Sequence, residues 1–206
     1  MEIIDLDTWK RKPHYDHFRS LKDPYFGVTI PFDVSKAYRF AKSNAISFFG
    51  KYLHDCMKAI NDVDEFKLRI EGEEVIKYNT INASATLMRS DKTFGFSYIE
   101  FDMDLKQFLI NIDLEKNRIE HSNALYPERN DLECIHCSAL PWVNFSGHKE
   151  PVSGEIESVP KLAFSKIEHQ PDGNIVMNVS LHVNHALVDG YHVGLFSEKF
   201  QHYLNN

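Results

Sequence analysis

Cysteine is scarce in this sequence, which has three cysteines among its 206 residues. Three thiols cannot build a disulfide framework, so we expect the fold to rest on a buried core. Cys134 and Cys137 have the spacing of a metal or redox pair, but zinc sites of this kind need a second ligand pair, which the sequence lacks. Cys56 lies at helical spacing from apolar residues, which favours a packing role.

Long apolar runs and an excess of positive charge are also missing. No stretch approaches the ~20 apolar residues of a membrane helix. The formal net charge of −7 argues against a nucleic-acid binder, because phosphate contacts need clustered Lys and Arg. The first five residues have neither the basic nor the apolar region of a signal peptide. We therefore expect a cytoplasmic protein without nucleic-acid or membrane partners.

What is present is an ordinary globular composition, with 43% hydrophobic and 26% charged residues, and we expect a single domain, 1–206. Periodicity predicts helices over 36–44, 45–61, 102–117 and 191–205. It predicts strands over 26–30, 66–71, 75–78, 82–88, 94–101, 134–145, 161–168 and 175–184, and loops over 118–131 and 147–154. This irregular order favours an α+β fold, a two-layer sandwich with a mixed β-sheet and helices packed on one side.

The C-terminal segment carries the strongest candidate for a functional site. Apolar residues alternate with polar ones from 175 to 184, and His185 then stands where the pattern asks for another aliphatic residue. Asp189 and Gly190 form a turn before the last helix. Taken alone, a histidine on an apolar face is more often a hydrogen-bonded core residue, and an Asp-Gly pair is often only a turn.

Several motifs give this chain a resemblance to the chloramphenicol acetyltransferase family. The segment 184–193 is similar to the His-His-x-x-x-Asp-Gly-Phe-His signature of that family, with His185 at the second histidine and Asn184 at the first. The segment 138–145 is similar to one of its strands. Shorter matches at 9–12, 26–29 and 92–94 follow in the same order, so the resemblance spans nearly the whole chain.

The resemblance implies a homotrimer whose active sites lie between subunits. Acetyl-CoA would be the co-substrate and chloramphenicol, or a similar hydroxylated small molecule, the acceptor, with no metal. By the same resemblance, His185 would be the general base and Ser138 would donate a hydrogen bond to the oxyanion. Asp189 would be a structural anchor paired with Arg11.

The chemistry suits these residue types. Acetyl transfer to a hydroxyl needs a base, and histidine has an ordinary pKa of about 6.5, close to working pH. The resemblance implies that the tautomer of His185 is fixed by a hydrogen bond to its own backbone carbonyl. Arg11 can hold Asp189 through two hydrogen bonds and so fix the turn. The alternative for this pair is a surface ion pair that contributes less than ~1 kcal/mol.

The resemblance also implies residues that contact the two substrates. Phe18 and Phe94 would line the acceptor pocket, although aromatic residues in strands usually belong to the core. Lys166 would lie near a phosphate of CoA; a solvated lysine is the alternative. The alternative to an oxyanion donor at Ser138 is an ordinary serine of a strand.

The sequence departs from the family pattern at five positions. Asn184 replaces the first histidine of the signature and should matter little to proton abstraction. The other four changes concern the acceptor pocket: His17 beside Phe18, His136 near Ser138, Glu157 for a tyrosine, and Ala163 for a threonine. The acetyl-transfer residues are thus intact while the acceptor pocket is partly changed.

Three other functions compete with acetylation of chloramphenicol. The first is O-acetylation of another hydroxylated molecule, which the changed pocket favours. The second is a catalytically silent trimeric binding protein, against which the joint presence of the four site residues argues. The third is a metal site formed by His182, His185 and Asp189; residues three apart on a strand point to opposite faces, so this site fails unless the strand ends early.

Overall fold

The structure, a computed structural model, describes residues 1–129, 131–151, 153 and 157–206. In these ranges the α-helices are α1 Lys12–Arg19, α2 Ser35–Ser43, α3 Phe48–Asn61, α4 Leu105–Glu120 and α5 Gly190–Leu204, with a 3₁₀ helix at Asp64–Lys67. The strands are β1 Glu2–Ile3, β2 Tyr25–Asp33, β3 Leu68–Glu71, β4 Glu74–Lys77, β5 Asn82–Met88, β6 Phe94–Phe96, β7 Cys134–Leu140, β8 Lys161–Ser165, β9 Glu168–His169 and β10 Ile175–Asn184. Part of the loop predicted over 147–154 lies outside the described residues.

A mixed sheet forms the centre of the fold, with strand order β2-β10-β8-β7-β5-β6 and the short β9 paired to β10. The pairs β5·β7 and β7·β8 are parallel, whereas β10 is antiparallel to both of its long neighbours. The strands β1, β4 and β3 form a second, small antiparallel sheet in the order β1-β4-β3. The predicted α+β class with a mixed sheet is therefore confirmed.

The two faces of the central sheet differ in chemistry. One face carries aliphatic residues such as Val179 and Leu181, which are buried in one core cluster with residues of α3 and α5. The other face carries polar residues, because successive side chains of a strand point to opposite sides. Register aligns four of them in a row across β5, β7, β8 and β10: Ser84, His136, Lys161 and His182.

Side-chain caps explain where several helices differ from their predicted bounds. Helix α3 begins at Phe48 because Ser47 accepts a hydrogen bond from Gly50 N at 3.2 Å. Helix α4 begins at Leu105 because Asp104 caps it, and it continues to Glu120, so the start of the predicted loop 118–131 is helical. Helix α1 was not predicted; its proline at the first turn is compatible with a helix start.

Serine side chains explain where the predicted strands are shorter. Ser97 Oγ accepts from Ala85 N at 3.0 Å in place of a backbone carbonyl, and the strand predicted over 94–101 ends at Phe96. Ser165 Oγ likewise accepts from Asn178 N at 2.9 Å, where the strand predicted over 161–168 divides into β8 and β9. The strand predicted over 134–145 ends at Leu140 in a turn.

A fully buried arginine, Arg69, joins β3 to the start of β7. Its guanidinium donates to backbone carbonyls at 2.6–2.9 Å, those of Phe66, Leu68, Leu132 and Cys134. Among the described residues it forms no ion pair with a carboxylate, and burial lowers the pKa of Arg69 to about 10. Phe66, Leu68 and Cys134 are buried, so their carbonyls need a donor within the protein, and Arg69 gives each of them a hydrogen bond.

Replacing Arg69 with Met should therefore destabilise the protein strongly. Removing the guanidinium leaves buried carbonyls without donors, and we expect the free energy of unfolding to fall by about 3 kcal/mol or more. Chemical denaturation measures this change. Arg39→Met is the matched control, because exposed Arg39 donates one bond to Gly173 O and its loss should cost less than about 1 kcal/mol. Equal losses in the two variants would contradict the role assigned to Arg69.

Candidate active site

His185 directly follows β10 and lies half-buried between aromatic rings. Its imidazole stacks face to face on Phe18, with centroids 3.8 Å apart and planes 2° apart. Phe26 lies against it at 4.6 Å, and its backbone N–H donates to Pro24 O at 2.9 Å. Packing against flat rings and one backbone bond therefore set the position of this imidazole.

The expected tautomer-fixing bond of His185 is not formed. Nδ1 is buried and has no hydrogen-bond partner among the described residues, so the prediction that it bonds the histidine's own carbonyl is wrong for this structure. The stack on Phe18 holds the plane of the imidazole and does not select the nitrogen that carries the proton.

The predicted ion pair between Arg11 and Asp189 is present and largely shielded. Arg11 Nη1 lies 2.5 Å from Asp189 Oδ2, and the side chains are 16% and 30% exposed. The predicted two-bond grip is wrong, because Nε and Nη2 of Arg11 have no partner among the described residues. Burial raises the pKa of Asp189, but the Arg11 hydrogen bond and the charges of His192 and Arg11 outweigh burial and hold it below its ordinary value.

Asp189 is also the N-cap of α5. Its Oδ1 accepts from Tyr191 N at 3.0 Å, and its own N–H donates to Nδ1 of His192 at 3.0 Å. This reciprocal arrangement is a capping box with histidine in the position where Glu or Gln is usual. His192 was missed as a site residue, although its spacing of three from Asp189 is the sequence signal of such a box.

His192 connects this turn to a second carboxylate. Its Nε2 lies 3.4 Å from Glu65 Oε1, and its side chain is 8% exposed. Since Nδ1 accepts a hydrogen bond from Asp189, the neutral form carries its proton on Nε2, facing Glu65. Burial lowers the pKa of His192, although Glu65 and Asp189 act in the opposite direction.

Ser138 lies on β7, at the junction of two clefts. The first, of about 530 Å³, is mainly apolar and is lined by Phe49, Tyr52, Leu87, Met88, Leu140 and Trp142. The second, of about 490 Å³, has aromatic and polar walls and is lined by Ser84, Phe96, Tyr126, His136, Glu157 and Lys161. Ser138, Thr86 and Phe94 line both clefts, so Ser138 is reached from two directions.

The remaining predicted substrate residues lie in different places. Phe94 is exposed and stands between the two clefts, whereas Phe18 packs on His185 at another part of the molecule. Lys166 is exposed and lines an open groove with Trp142, next to the apolar cleft. One chain thus brings Phe94 and Ser138 together, but not Phe94 and Phe18.

Ser138 and His185 of one chain are far apart. Ser138 pairs with Ala163 of β8, and Ala163 pairs with Ser180 of β10. His185 comes five residues after Ser180. With about 3.3 Å per residue along a strand and about 4.8 Å between strands, the Cα atoms of the two residues are roughly 15–20 Å apart, farther than the two side chains can span. Within a single chain they cannot act on the same bond.

Two of the departures from the family pattern, His136 and Glu157, line the second cleft. His136 is exposed there, and Glu157 is held by an ion pair, with its Oε2 2.5 Å from Lys161 Nζ. Ala163 is the register neighbour of Ser138. His17 lies elsewhere, edge-on to Phe18 at 4.9 Å.

The structure also bears on the metal hypotheses. His182 lies against His148, with ring centroids 5.8 Å apart, and β10 ends before His185. Within the described ranges, no group of three or more His, Cys, Asp or Glu side chains is arranged to hold a metal ion. Cys134 is buried, and burial raises the pKa of its thiol to about 11.

Of the described helices, none has the length and apolarity to span a membrane.

Comparison with known proteins gives a consistent assignment. The sequence profile described as chloramphenicol acetyltransferase matches residues 1–201. Chloramphenicol acetyltransferase 3 of Escherichia coli is 25% identical over 98% of this chain and 96% of its own. The protein of that name from Klebsiella sp is 24% identical over 97% and 92% of the two chains. A solved chloramphenicol acetyltransferase superposes with a TM-score of 0.86 at 26% identity, covering 98% of this chain and 99% of the other.

A more distant structure shares the fold alone. The cubic core of the pyruvate dehydrogenase multienzyme complex superposes with a TM-score of 0.69 at 17% identity, covering 93% of this chain and 86% of the other. From the fold together with the family match, the protein is an acyltransferase. The chain belongs to the chloramphenicol acetyltransferase family.

His192 predicts a pH dependence of stability. Because burial lowers its pKa, the unfolded chain takes up this proton at a higher pH than the folded protein does. The stabilisation it gives is therefore complete above its ordinary pKa of 6.5 and is lost as the pH falls from there through the folded value. In His192→Gln, which keeps an acceptor for Asp189 N–H and does not titrate, the free energy of unfolding should fall less over this range.

Urea unfolding at several pH values measures the difference between the two proteins. His14→Gln, at an exposed position on α1, serves as the control and should keep the wild-type slope. If His192→Gln also keeps that slope, His192 does not titrate in the way described.

Proposed function

We propose that this protein is an acetyl-CoA-dependent O-acetyltransferase, in which each subunit is one domain of residues 1–206 and the active sites lie between subunits of a homotrimer. The acceptor we infer from the family is chloramphenicol or a similar hydroxylated small molecule. One observation carries the proposal: Ser138 opens to two clefts on one part of the chain, while His185 is held on another part, roughly 15–20 Å away.

His185 takes the proton of the acceptor hydroxyl as that oxygen attacks the thioester carbonyl. The nitrogen that faces the hydroxyl must be neutral, and because Nδ1 is buried we assign this role to Nε2, on the edge of the ring that stacks on Phe18. Arg11 and Asp189 support this residue by fixing the turn after it. They act on its position and do not touch the reacting atoms.

Ser138 donates a hydrogen bond to the oxyanion that forms on the carbonyl, and the CoA thiolate then leaves. In our proposal the apolar cleft takes the extended arm of acetyl-CoA, because it continues into the groove of Trp142 and Lys166, where a cation can meet a phosphate. The acceptor occupies the second cleft. Both substrates then meet at Ser138 from opposite directions.

The distance between Ser138 and His185 within one chain supports assembly of the protein into an oligomer. A base and an oxyanion donor must both lie within about 3 Å of reacting atoms, so the pair that meets at one site has to come from two chains. A cyclic arrangement in which each subunit gives His185 to one neighbour and Ser138 to the other satisfies this requirement. A homotrimer closes such a ring with three equivalent sites.

Mixing two inactive variants tests this arrangement. His185→Ala and Ser138→Ala should each lower turnover in a thiol-release assay with acetyl-CoA and chloramphenicol, by about 10²–10⁴-fold for the base and about 10²–10³-fold for the oxyanion donor. Co-expressed in equal amounts, they should recover about a quarter of wild-type turnover, because about one site in four receives both intact residues by random assembly.

The matched control is the double variant His185→Ala/Ser138→Ala, co-expressed with wild type. There, too, only the sites that draw both residues from wild-type subunits should work, again about a quarter. If the two single variants give no recovery when mixed, both residues act within one chain, and the intersubunit site is wrong. Light scattering of the wild type checks the trimer directly.

A second candidate function is acetylation of a more polar hydroxylated molecule. The observation that favours it is the second cleft, whose lining includes both His136 with the ion pair of Glu157 and Lys161 and the stacked rings of Phe96 and Tyr126. Such a cleft can stack one face of an acceptor and hydrogen-bond its edge. Turnover with chloramphenicol and with polyhydroxylated acceptors separates the two functions.

Two cleft variants should separate the binding of the two substrates. Trp142→Ala removes apolar surface from the first cleft and should raise KM for acetyl-CoA several-fold while leaving the acceptor KM within about twofold. His136→Leu removes a hydrogen-bonding group from the second cleft and should raise KM for the acceptor several-fold while leaving KM for acetyl-CoA within about twofold. Steady-state kinetics with each substrate varied in turn measures both. The same KM changing in both variants would mean that the assignment of the clefts is wrong.

A further inference from the structure

Asn184 is the residue directly before His185, and its side chain is fully engaged. It is 2% exposed. Its Oδ1 accepts from Ala186 N at 2.9 Å, and its Nδ2 donates to Glu157 O at 2.7 Å. The side chain therefore bridges across His185, from the end of β10 to the residue beyond the base.

The backbone of Asn184 holds the same loop. Its carbonyl accepts from Leu187 N at 3.1 Å and from Val188 N at 3.0 Å. Together with the side-chain bond to Ala186, three successive N–H groups after His185 point back to one residue. His185 lies inside this turn, between Asn184 and the three residues bonded to it, so its backbone has few conformations available.

The side-chain bond to Glu157 connects this loop to the wall of the second cleft. Glu157 lines that cleft and pairs with Lys161, while its carbonyl receives the amide of Asn184. The amide is suited to this place because it is neutral, so it can be buried with one donor and one acceptor satisfied.

We propose that Asn184 is a positioning residue for His185: it fixes the loop so that the imidazole lies flat on Phe18 and its edge points to the acceptor. The inference rests on the proposed function of His185 as the base. It differs from the expectation that the asparagine at this position of the signature matters little. Asn184 touches no reacting atom and acts only through the loop.

Three variants test this role by kinetics. Asn184→Ala should lower kcat about 10–100-fold, because a base displaced by about 1 Å loses that much, with KM for acetyl-CoA unchanged. Asn184→Ser keeps a short oxygen acceptor for Ala186 N and should recover most of kcat. Asn61→Ala is the matched control, since Asn61 makes the same kind of bonds, to Ile81 N and to Met57 O, at the end of α3. It should keep the wild-type kcat.

Histidine NMR gives a readout that does not depend on turnover. The ring of Phe18 lies 3.8 Å from the imidazole, so the carbon-bound protons of His185 should be shifted upfield by its ring current. His185→Ala identifies the signal. Asn184→Ala should move it toward its ordinary position, Asn184→Ser should restore it, and Asn61→Ala should leave it in place.

The outcomes separate the two proposals. If Asn184→Ala leaves both kcat and the His185 signal unchanged, the positioning role is wrong and the function of His185 stands. If kcat falls while the signal stays, Asn184 does not act through the orientation of His185, and the inference is again wrong. If the wild type transfers no acetyl group, or if His185→Ala is fully active, it is the proposed function that fails. The NMR result then still decides whether Asn184 holds the loop.

Discussion

The contact between Arg11 and Asp189 joins the two ends of the chain around the candidate base. Asp189 does two things at once: it pairs with Arg11 through Oδ2 and caps α5 through Oδ1. The first bond ties the turn to the segment that leads into α1, and the second starts the last helix. His185 lies between this turn and β10, so the same carboxylate fixes one border of its loop.

The division of the central sheet into two faces explains how the fold and the site coexist. The apolar face packs on α3 and α5 and supplies the core. The polar face contributes Ser138 and the row that contains His136 and Lys161. Because these residues alternate along the same strands, a residue that serves the site is always next to one that serves the core.

Sequence patterns were sufficient for the fold class and the family. The apolar alternation before His185 and the motif around it predicted β10, α5 and the family, and each is confirmed. The roles of His185 and Ser138 remain predictions. The pairing of Arg11 with Asp189 was predicted correctly. That the pair is joined by one hydrogen bond and not by two was not predicted, because the geometry with which two side chains approach depends on neighbours distant in sequence.

Hydrogen bonds between side chains and the backbone explain most of the structural features that the sequence patterns did not predict. Ser97 and Ser165 replace ladder bonds and shorten two strands, although neither serine interrupts the apolar alternation. His192 completes a capping box in a position where its residue type is unusual. In each case the residue type allows several partners, and only the tertiary contact selects one.

The alternation along β5 and β7 has a consequence for how such an enzyme can change over evolution. Ser84 and His136 face the second cleft, while their neighbours Ala83 and Ile135 face the core. A mutation that alters recognition at the cleft therefore changes few contacts in the core, so its effect on stability should be small. On the proposed function, recognition of new acceptors can therefore arise one residue at a time without a loss of fold, and exposed His136 stands at a position where such a change is tolerated.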